Sequence, residues 1–429
     1  MRRLLFLLIS LVGAAVHAAP DSELPSVLTL SDARAMAIRN HPRLAASQIQ
    51  AVIAQEGVKV AEAAFLPTLQ GYVTSVEAGN ENTRILAGAL NNPSVYDRTA
   101  GGFQLNQLIT DFGHTYNMQA GSKLEARAEN ENIAATREQV LLGVDIAYFT
   151  ALQAQAVLGV AKETLASQQL LSEQVEALAK NQLKSDLDVS FTMVALEQAK
   201  LVQQKAEGDQ DAAQAVLAAA LGLRVRHVFV LVATFQEEPP LAEASVLVDD
   251  ALHHRPDLQK LRFERDAAGR YARAENESNY PSISAVGVIG DSPSHDSRVP
   301  EHYAAGGVTL SVPIFEGGLY AARQRQFELR ARIADENLRD AEDNVVRDVQ
   351  VAQSNYSTSA QRLRTTRQLV SAARQALELA QARYRAGSSS IVEISQAQLN
   401  ATSAEIAQAE VTYDTLIQRS ILNYQTGQL

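Results

Sequence analysis

Asp291, His295, Asp296, Glu301 and His302 fall close together, and carboxylate and imidazole side chains at this density are the donor types that hold a divalent cation. Nothing in their spacing fixes a coordination geometry, so a solvated loop is the preferred reading. His253 and His254 stand just before Arg255-Pro256, where a helix must break, and read as helix-end residues rather than a ligand pair. A Gly-rich phosphate loop, a metalloprotease His pair and a nucleophile elbow are all missing. No enzyme chemistry, cofactor or resident metal is therefore expected. Two spacings do recur: Ser185 precedes Asp188, and Ser390 precedes Glu393. A serine followed three residues later by an acid is a capping box, which satisfies the first backbone donors of a helix.

That recurrence is part of a larger one. Ala37-Ile38-Arg39-Asn40-His41-Pro42-Arg43-Leu44 reappears as Ala251-Leu252-His253-His254-Arg255-Pro256-Asp257-Leu258, and Phe65-Leu66-Pro67-Thr68-Leu69 as Asn279-Tyr280-Pro281-Ser282-Ile283, displaced by 214 residues. From Gly101-Gly102, matched by Gly306-Gly307, the displacement is 205 and stays so through Gly222 and Gly427. One unit of about 200 residues is present twice, and the change of offset falls between Pro67 and Gly101. A period this long belongs to a duplicated half of a pseudo-symmetric object rather than to a solenoid.

Net charge of −11 argues against nucleic acid as a partner. Residues 1–18 have the layout of a secretory signal peptide: Arg2 and Arg3, an apolar run, then small residues up to Ala18. Zero Cys leaves neither a disulfide framework nor an acylation site, so no lipid anchor is expected. Beyond residue 18 no stretch reads as a membrane helix, so entry into a membrane would be by strands. The divisions read from the sequence are a first repeat over 19–223, a side excursion over 224–244 that includes Pro239-Pro240, and a second repeat over 245–429.

Each repeat reads as helix, strand, loop, strand, very long helix, tight turn, helix. The opening helix of the first begins with Ser31 as N-cap, breaks at Pro42 and ends before Pro67. Phe103, Leu105, Gln107 and Ile109 alternate with Gln104, Asn106 and Leu108. In the second repeat Val308, Leu310, Val312 and Ile314 alternate with Thr309, Ser311 and Pro313. Period-2 alternation with one polar face suits a barrel wall between lipid and water, or a soluble hairpin with one buried face. Residues 114–183 hold no Pro, and 320–386 hold neither Pro nor Gly. About 70 helical residues make a rod about 100 Å long. In the second rod Val349, Tyr356, Leu363, Val370, Leu377 and Tyr384 recur at sevens beside Ala352, Ser359, Thr366, Ala373 and Ala380, as in a left-handed coiled coil with a large and a small seam. The return helices, 186–221 and 391–426, are half as long. Stacking each beneath an opening helix would complete a second rod. Gly387 stops the second long helix; its counterpart is Gln182, so the first turn is expected to close differently.

The residues resemble the TolC-type outer-membrane efflux family over nearly the whole chain. Gln107-Leu108-Ile109-Thr110-Asp111-Phe112-Gly113 and Val312-Pro313-Ile314-Phe315-Glu316-Gly317-Gly318 look like its strand-to-helix motif. Tyr384-Arg385-Ala386-Gly387 followed by Ile391-Val392-Glu393-Ile394 is similar to its second-hairpin tip. The resemblance implies a mainly α fold with a transmembrane β portion: duplicated coiled-coil hairpins plus four strands per chain, forming a trimeric 12-stranded β-barrel continuous with a periplasmic α-helical tunnel. It implies a passive outer-membrane conduit in a tripartite efflux or secretion system, a homotrimer, and as partners a periplasmic adaptor, an inner-membrane transporter and outer-membrane lipid. The loops 76–100 and 291–302 would then be extracellular. A periplasmic coiled-coil scaffold or adaptor that does not span the outer membrane is the alternative.

In some members of that family acidic residues after the second tip narrow the entrance, braced by a tyrosine and an arginine. The matching positions here hold Glu393 and Gln396, with Tyr384 kept and Ser389 where the arginine would be. The entrance candidates are therefore Tyr384, Gly387, Ser389, Glu393 and Gln396, and the tip residues facing an adaptor would be Ser185, Asp186, Asp188, Ser390 and Ile391. Glu393 as a capping-box acid alone is the competing reading. If Glu393 lines the entrance, Glu393→Ala raises single-channel conductance or weakens cation block; unchanged single-channel behaviour would count against it.

Overall fold

The computed structural model describes residues 27–76, 83–84, 94–95, 98–224, 227–233, 243–294 and 301–429. The signal segment, Pro239-Pro240, His295 and Asp296, and much of the two loops expected outside the cell lie outside the described residues. The first unit runs β1 (Val27–Leu28), α1 (Leu30–Asn40), α2 (Pro42–Ala63), β2 (Thr68–Val76), β3 (Thr83–Arg84), β4 (Ser94–Val95), β5 (Arg98–Thr110), α3 (His114–Lys180) and α4 (Asp186–Ala220). Between the units, the side excursion holds β6 (Val230–Leu231); the second runs α5 (Ala244–His254), α6 (Pro256–Glu277), β7 (Ser282–Ser294), β8 (His302–Ser311), α7 (Leu319–Arg385) and α8 (Ile391–Gln425). Every helix has a counterpart of the same length in the other unit: 11, 22, 67 and 35 residues.

The long helices α3 and α7 are the spines. Alongside α3 pack α2 toward the strand end and α4 toward the tip; α7 is flanked by α6 and α8 in the same way, and α3 also touches α6 and α8. The two seams read from α7 both turn inward: Val349, Val370 and Tyr384 are buried, and so are Ala352, Ser359 and Ala380. At the tips both return helices start on a serine N-cap, Ser185 and Ser390. The opening helix starts differently from expectation. Thr29, not Ser31, is its N-cap, because the Thr29 hydroxyl accepts from Asp32 N at 3.2 Å. β8 stops at Ser311, short of the alternation that continued to Ile314, since Pro313 has no N–H for the ladder and restricts Val312 before it.

Midway along the rods the pieces are joined. The 22-residue helices begin at Pro42 and Pro256, and the return helices end against those breaks. Gly222, at φ 75°, lies so close that a Cβ there would stand 2.8 Å from Asn40 O; a Cβ on Gly427, at φ 70°, would stand 3.3 Å from Arg255 N. Around the first joint lies a hydrophobic cluster with Leu28, Val144, Tyr148, Leu217, Leu221 and Phe229 at its centre. β1 and β6 pair in parallel there, Val27 with Val230 and Leu28 with Leu231, so the side excursion is tied back to the chain's start. The Tyr148 hydroxyl lies 2.9 Å from Leu28 O and 2.8 Å from Val232 O, and Gln214 brackets the Phe229 backbone at 3.0 and 3.2 Å. One 18-residue stretch of α3 is, against expectation, apolar enough to cross a membrane, but half of it is buried. Its apolar side chains serve this joint instead.

Asp145 is fully buried in α3 and takes a two-pronged contact from Arg34 of α1, 2.7 Å from Nε and 2.5 Å from Nη2. The hydrogen bond to that carboxylate raises the Arg34 pKa above its ordinary value, against the opposing effect of burial. Asp145→Ala would leave the guanidinium without its partner. Since the Arg34 side chain keeps 33% exposure, the expected loss is about 2 to 3 kcal/mol, at or below the low end for fully buried pairs. A fall in the thermal midpoint of the detergent-solubilised protein checks it, and an unchanged midpoint would show that the pair contributes nothing.

Candidate channel wall and periplasmic entrance

β2, β5, β7 and β8 form one antiparallel sheet in that order. Residues opposite one another share a face, and the register separates two chemistries. Leu69, Leu105, Gly287 and Gly306 form one cross-strand row, and Gly71, Phe103, Ile289 and Ala304 the next. On this face Leu69, Val73, Phe103, Leu105, Ile289, Val308 and Leu310 are all exposed. The other face is mostly polar, with Thr68, Gln70, Gln104, Asn106, Ser284 and Thr309, and also carries Leu108, Val286 and Val288.

One row on the polar face reads Tyr72, Gly102, Gly290, Tyr303. The two tyrosines reach toward each other over the intervening strands, and their hydroxyls meet at 2.9 Å. A Cβ on Gly102 would stand 2.7 Å from the Tyr303 hydroxyl, and one on Gly290 would overlap it. The two glycines leave the space in which the tyrosine rings lie across the inner strands on the polar face. Below the sheet, Asp111 caps α3: its carboxylate accepts from Gly113 N at 3.2 Å, from Thr115 N at 2.8 Å and from the Thr115 hydroxyl.

At the opposite end the two tips meet. Tyr384 is buried with Val175, Ala380, Ile391 and Ile394, and Lys184 of the first tip places Nζ 4.0 Å from the centre of its ring. The Tyr384 hydroxyl has no hydrogen-bond partner among the described residues. Glu393 is held by Arg383, whose Nη1 is 2.7 Å from Oε1, and by Ser389, whose hydroxyl donates to Oε2 at 2.5 Å. The arginine absent from position 389 is thus replaced by one from the last turn of α7, a residue that sequence reasoning passed over because it precedes the tip motif. With its carboxylate drawn off, Glu393 does not complete the second capping box; only Ser390 Oγ accepts, from Glu393 N at 3.4 Å. The shorter-armed Ser185–Asp188 pair completes both halves. The first turn also closes as the second does: Gln182 takes φ 59° where Gly387 takes 72°, with Leu183 N to Leu178 O at 2.9 Å matching Ser388 N to Arg383 O at 2.9 Å. Glutamine occupies the left-handed region at a cost of about 1 kcal/mol.

Of the remaining candidates, Gln396 bonds Asn400 at 3.1 Å, away from the Glu393 cluster. Ser185, Asp186 and Ser390 are exposed, and Asp188 is half-buried. Ile391 is 2% exposed and serves packing. Sequence reasoning missed the apolar residues that the tips and α4 leave in water, Leu183, Leu187, Val194 and Val392. Asp291 and His302 face each other across β7 and β8 at 2.5 Å. His253 and His254 donate from Nδ1 to the carbonyls of Asp249 and Asp250, as helix-end residues do.

Residues 33–223 and 247–428 match the family described as outer membrane efflux protein, one match for each repeat. The chain is 24% identical to the outer membrane protein TolC of Vibrio cholerae, over all of this chain and 96% of that one. It is 24% identical to the outer membrane efflux protein BepC of Brucella suis, over 94% and 86%. Among solved structures it is similar to CusC, with a TM-score of 0.80 at 20% identity over 93% of this chain and 92% of that chain. The outer membrane protein VceC of Vibrio cholerae gives 0.78 at 18% over 93% and 96%. With both repeats matched and the strand-and-rod architecture shared, the chain belongs to the outer membrane efflux protein family and is an outer-membrane channel protein.

Proposed function

We propose that three copies of this chain close into a 12-stranded barrel above a helical tunnel, and that the assembly is the passive outer-membrane conduit of a tripartite efflux or secretion system. The observation that carries this is the four-stranded sheet, apolar and exposed on one face and largely polar on the other, with β2 and β8 each paired on one side only among the described residues. An open sheet edge within lipid is untenable, because its N–H and C=O groups have no partner there. Pairing β8 of one copy with β2 of the next is antiparallel and closes the ring.

The helices repeat the same logic. α2 exposes Ile49, Val52, Ile53 and Val60, and α4 exposes Met193, Val194 and Leu201. α7 exposes Leu329, Ile333, Val351, Leu369 and Leu379. Laying α7 of one copy against α2 and α4 of the next covers all of these and is a head-to-tail contact of the kind that generates rings. The tips then gather at the periplasmic mouth, where the exposed leucines and the polar rim of Ser185, Asp186, Asp188 and Ser390 would meet a helical adaptor. Energy and choice of cargo would come from an inner-membrane transporter.

Membrane fractionation with detergent extraction tests the assembly: a heat-modifiable species of three chains recovered from the outer membrane is expected. A soluble periplasmic monomer would reject it in favour of a scaffold. At the mouth, the Arg383–Glu393 pair is about half exposed and worth at most about 1 kcal/mol, yet it offsets the carboxylate charge. Arg383→Ala is therefore expected to strengthen block by divalent cations at least twofold in planar bilayers, more than Glu393→Ala weakens it. Equal and negligible effects would place neither side chain at the entrance.

A further inference from the structure

A cavity of about 570 Å³ lies between α6 and α7, with Leu124 of α3 also lining it, away from both the sheet's polar face and the tips. Four guanidinium groups line it, Arg265, Arg270 and Arg273 from α6 and Arg332 from α7, against two carboxylates, Asp266 and Asp335. Arg265 is engaged by Asp266 at 3.0 and 2.8 Å, and Arg270 reaches Asn117 at 3.3 Å. Arg273 and Arg332 have no hydrogen-bond or ion-pair partner among the described residues. A cavity with two positive charges in excess and two uncommitted guanidinium forks is built for an anion whose oxygens accept in pairs.

The duplication shows that packing does not require all of this charge. α2 and α3 pack as α6 and α7 do, yet the positions matching the four arginines hold Ala51, Glu56, Lys59 and Arg127. The first repeat keeps a cation at the positions of Arg273 and Arg332, and the guanidinium groups of Arg265 and Arg270 are particular to the second. The cavity borders the flank through which copies would close: on α7, Arg332 stands between the exposed Leu329, three residues before it, and Ile333.

We propose that this cavity binds a phosphate-bearing anion, with Arg273 and Arg332 as its principal ligands and Arg270 and Arg265 completing the cationic wall. Two sources share that chemistry: a soluble phosphate or diphosphate, and the headgroup phosphate of a lipid at the base of the strands, since α6 leads into β7 and α7 follows β8. Only the lipid source rests on the channel reading.

The test uses the full chain purified in detergent. Calorimetric titration with inorganic pyrophosphate at low salt, and native mass spectrometry after exposure to dioleoylphosphatidylglycerol, compare wild type with Arg273→Gln/Arg332→Gln and with Arg127→Gln as a control in the other repeat. Saturable pyrophosphate binding that falls at least tenfold in the double variant, and not in the control, supports a soluble anion. Retained phosphatidylglycerol lost in the double variant, without pyrophosphate binding, supports the lipid headgroup. Absence of both ligands from wild type, or equal binding by wild type and double variant, overturns the proposal. Should the double variant fail to fold, Arg332→Gln alone, at an exposed position, carries the comparison. Channel conductance in planar bilayers is measured separately, so loss of the site and failure of the channel reading give different results.

Discussion

A helix of 67 residues in water carries an apolar seam along its whole length, and neither a 22-residue nor a 35-residue neighbour covers it alone. The chain meets this by setting two shorter helices end to end beside each spine. The joint between them is then the weakest place in the rod, because four backbone donors go unpaired where one helix begins and four carbonyls where the other ends. Here those ends are served: a proline at each break has no N–H and needs no acceptor, His41 Nδ1 accepts from Arg43 N, and Gly222 and Gly427 let the return helices come into contact with the break. The main hydrophobic cluster, the buried Tyr148 and Gln214 and the Arg34–Asp145 pair all lie around the first joint. The fold's stability is concentrated where its continuity is broken.

From that joint the two ends take on different work. Toward the strands the wall is one layer thick and its polarity is sorted by face, which is what a boundary between lipid and water demands. Toward the tips the helices crowd, and polar side chains make specific contacts across the gap between hairpins: Lys184 on the Tyr384 ring, Arg383 and Ser389 on Glu393. Pseudo-symmetry is kept in the spines and given up at the tips and in the arginine-lined cavity.

Several particulars show how far local pattern carries. Pro42, Pro67, Pro256 and Pro281 end helices wherever they stand, because a missing donor and a fixed φ act without regard to surroundings. The heptad seams were legible for the same reason: a period in sequence is a direction in space once the residue is helical. Legibility failed where two local choices were nearly equal. Thr29 and Ser31 are both N-cap residues two positions apart, and only one has a donor in reach. Gln182 and Gly387 differ in local preference, yet the tip imposes one turn on both. Ser390–Glu393 matches the capping-box pattern better than Ser185–Asp188, but Arg383 competes for the carboxylate, and that competitor lies ten residues away in the chain.

The chain by itself determined that there are two copies of one unit, that each has a rod twice the length of its partners, that the strands have one polar face, and where every helix stops. These follow from residue type, spacing and period, which are local properties. Tertiary structure decided that Tyr72 and Tyr303 meet across the sheet, that half of the apolar stretch of α3 is buried, and that four arginines from two helices line one cavity. Each of these depends on distances between residues remote in sequence, and such distances exist only after the rods have packed.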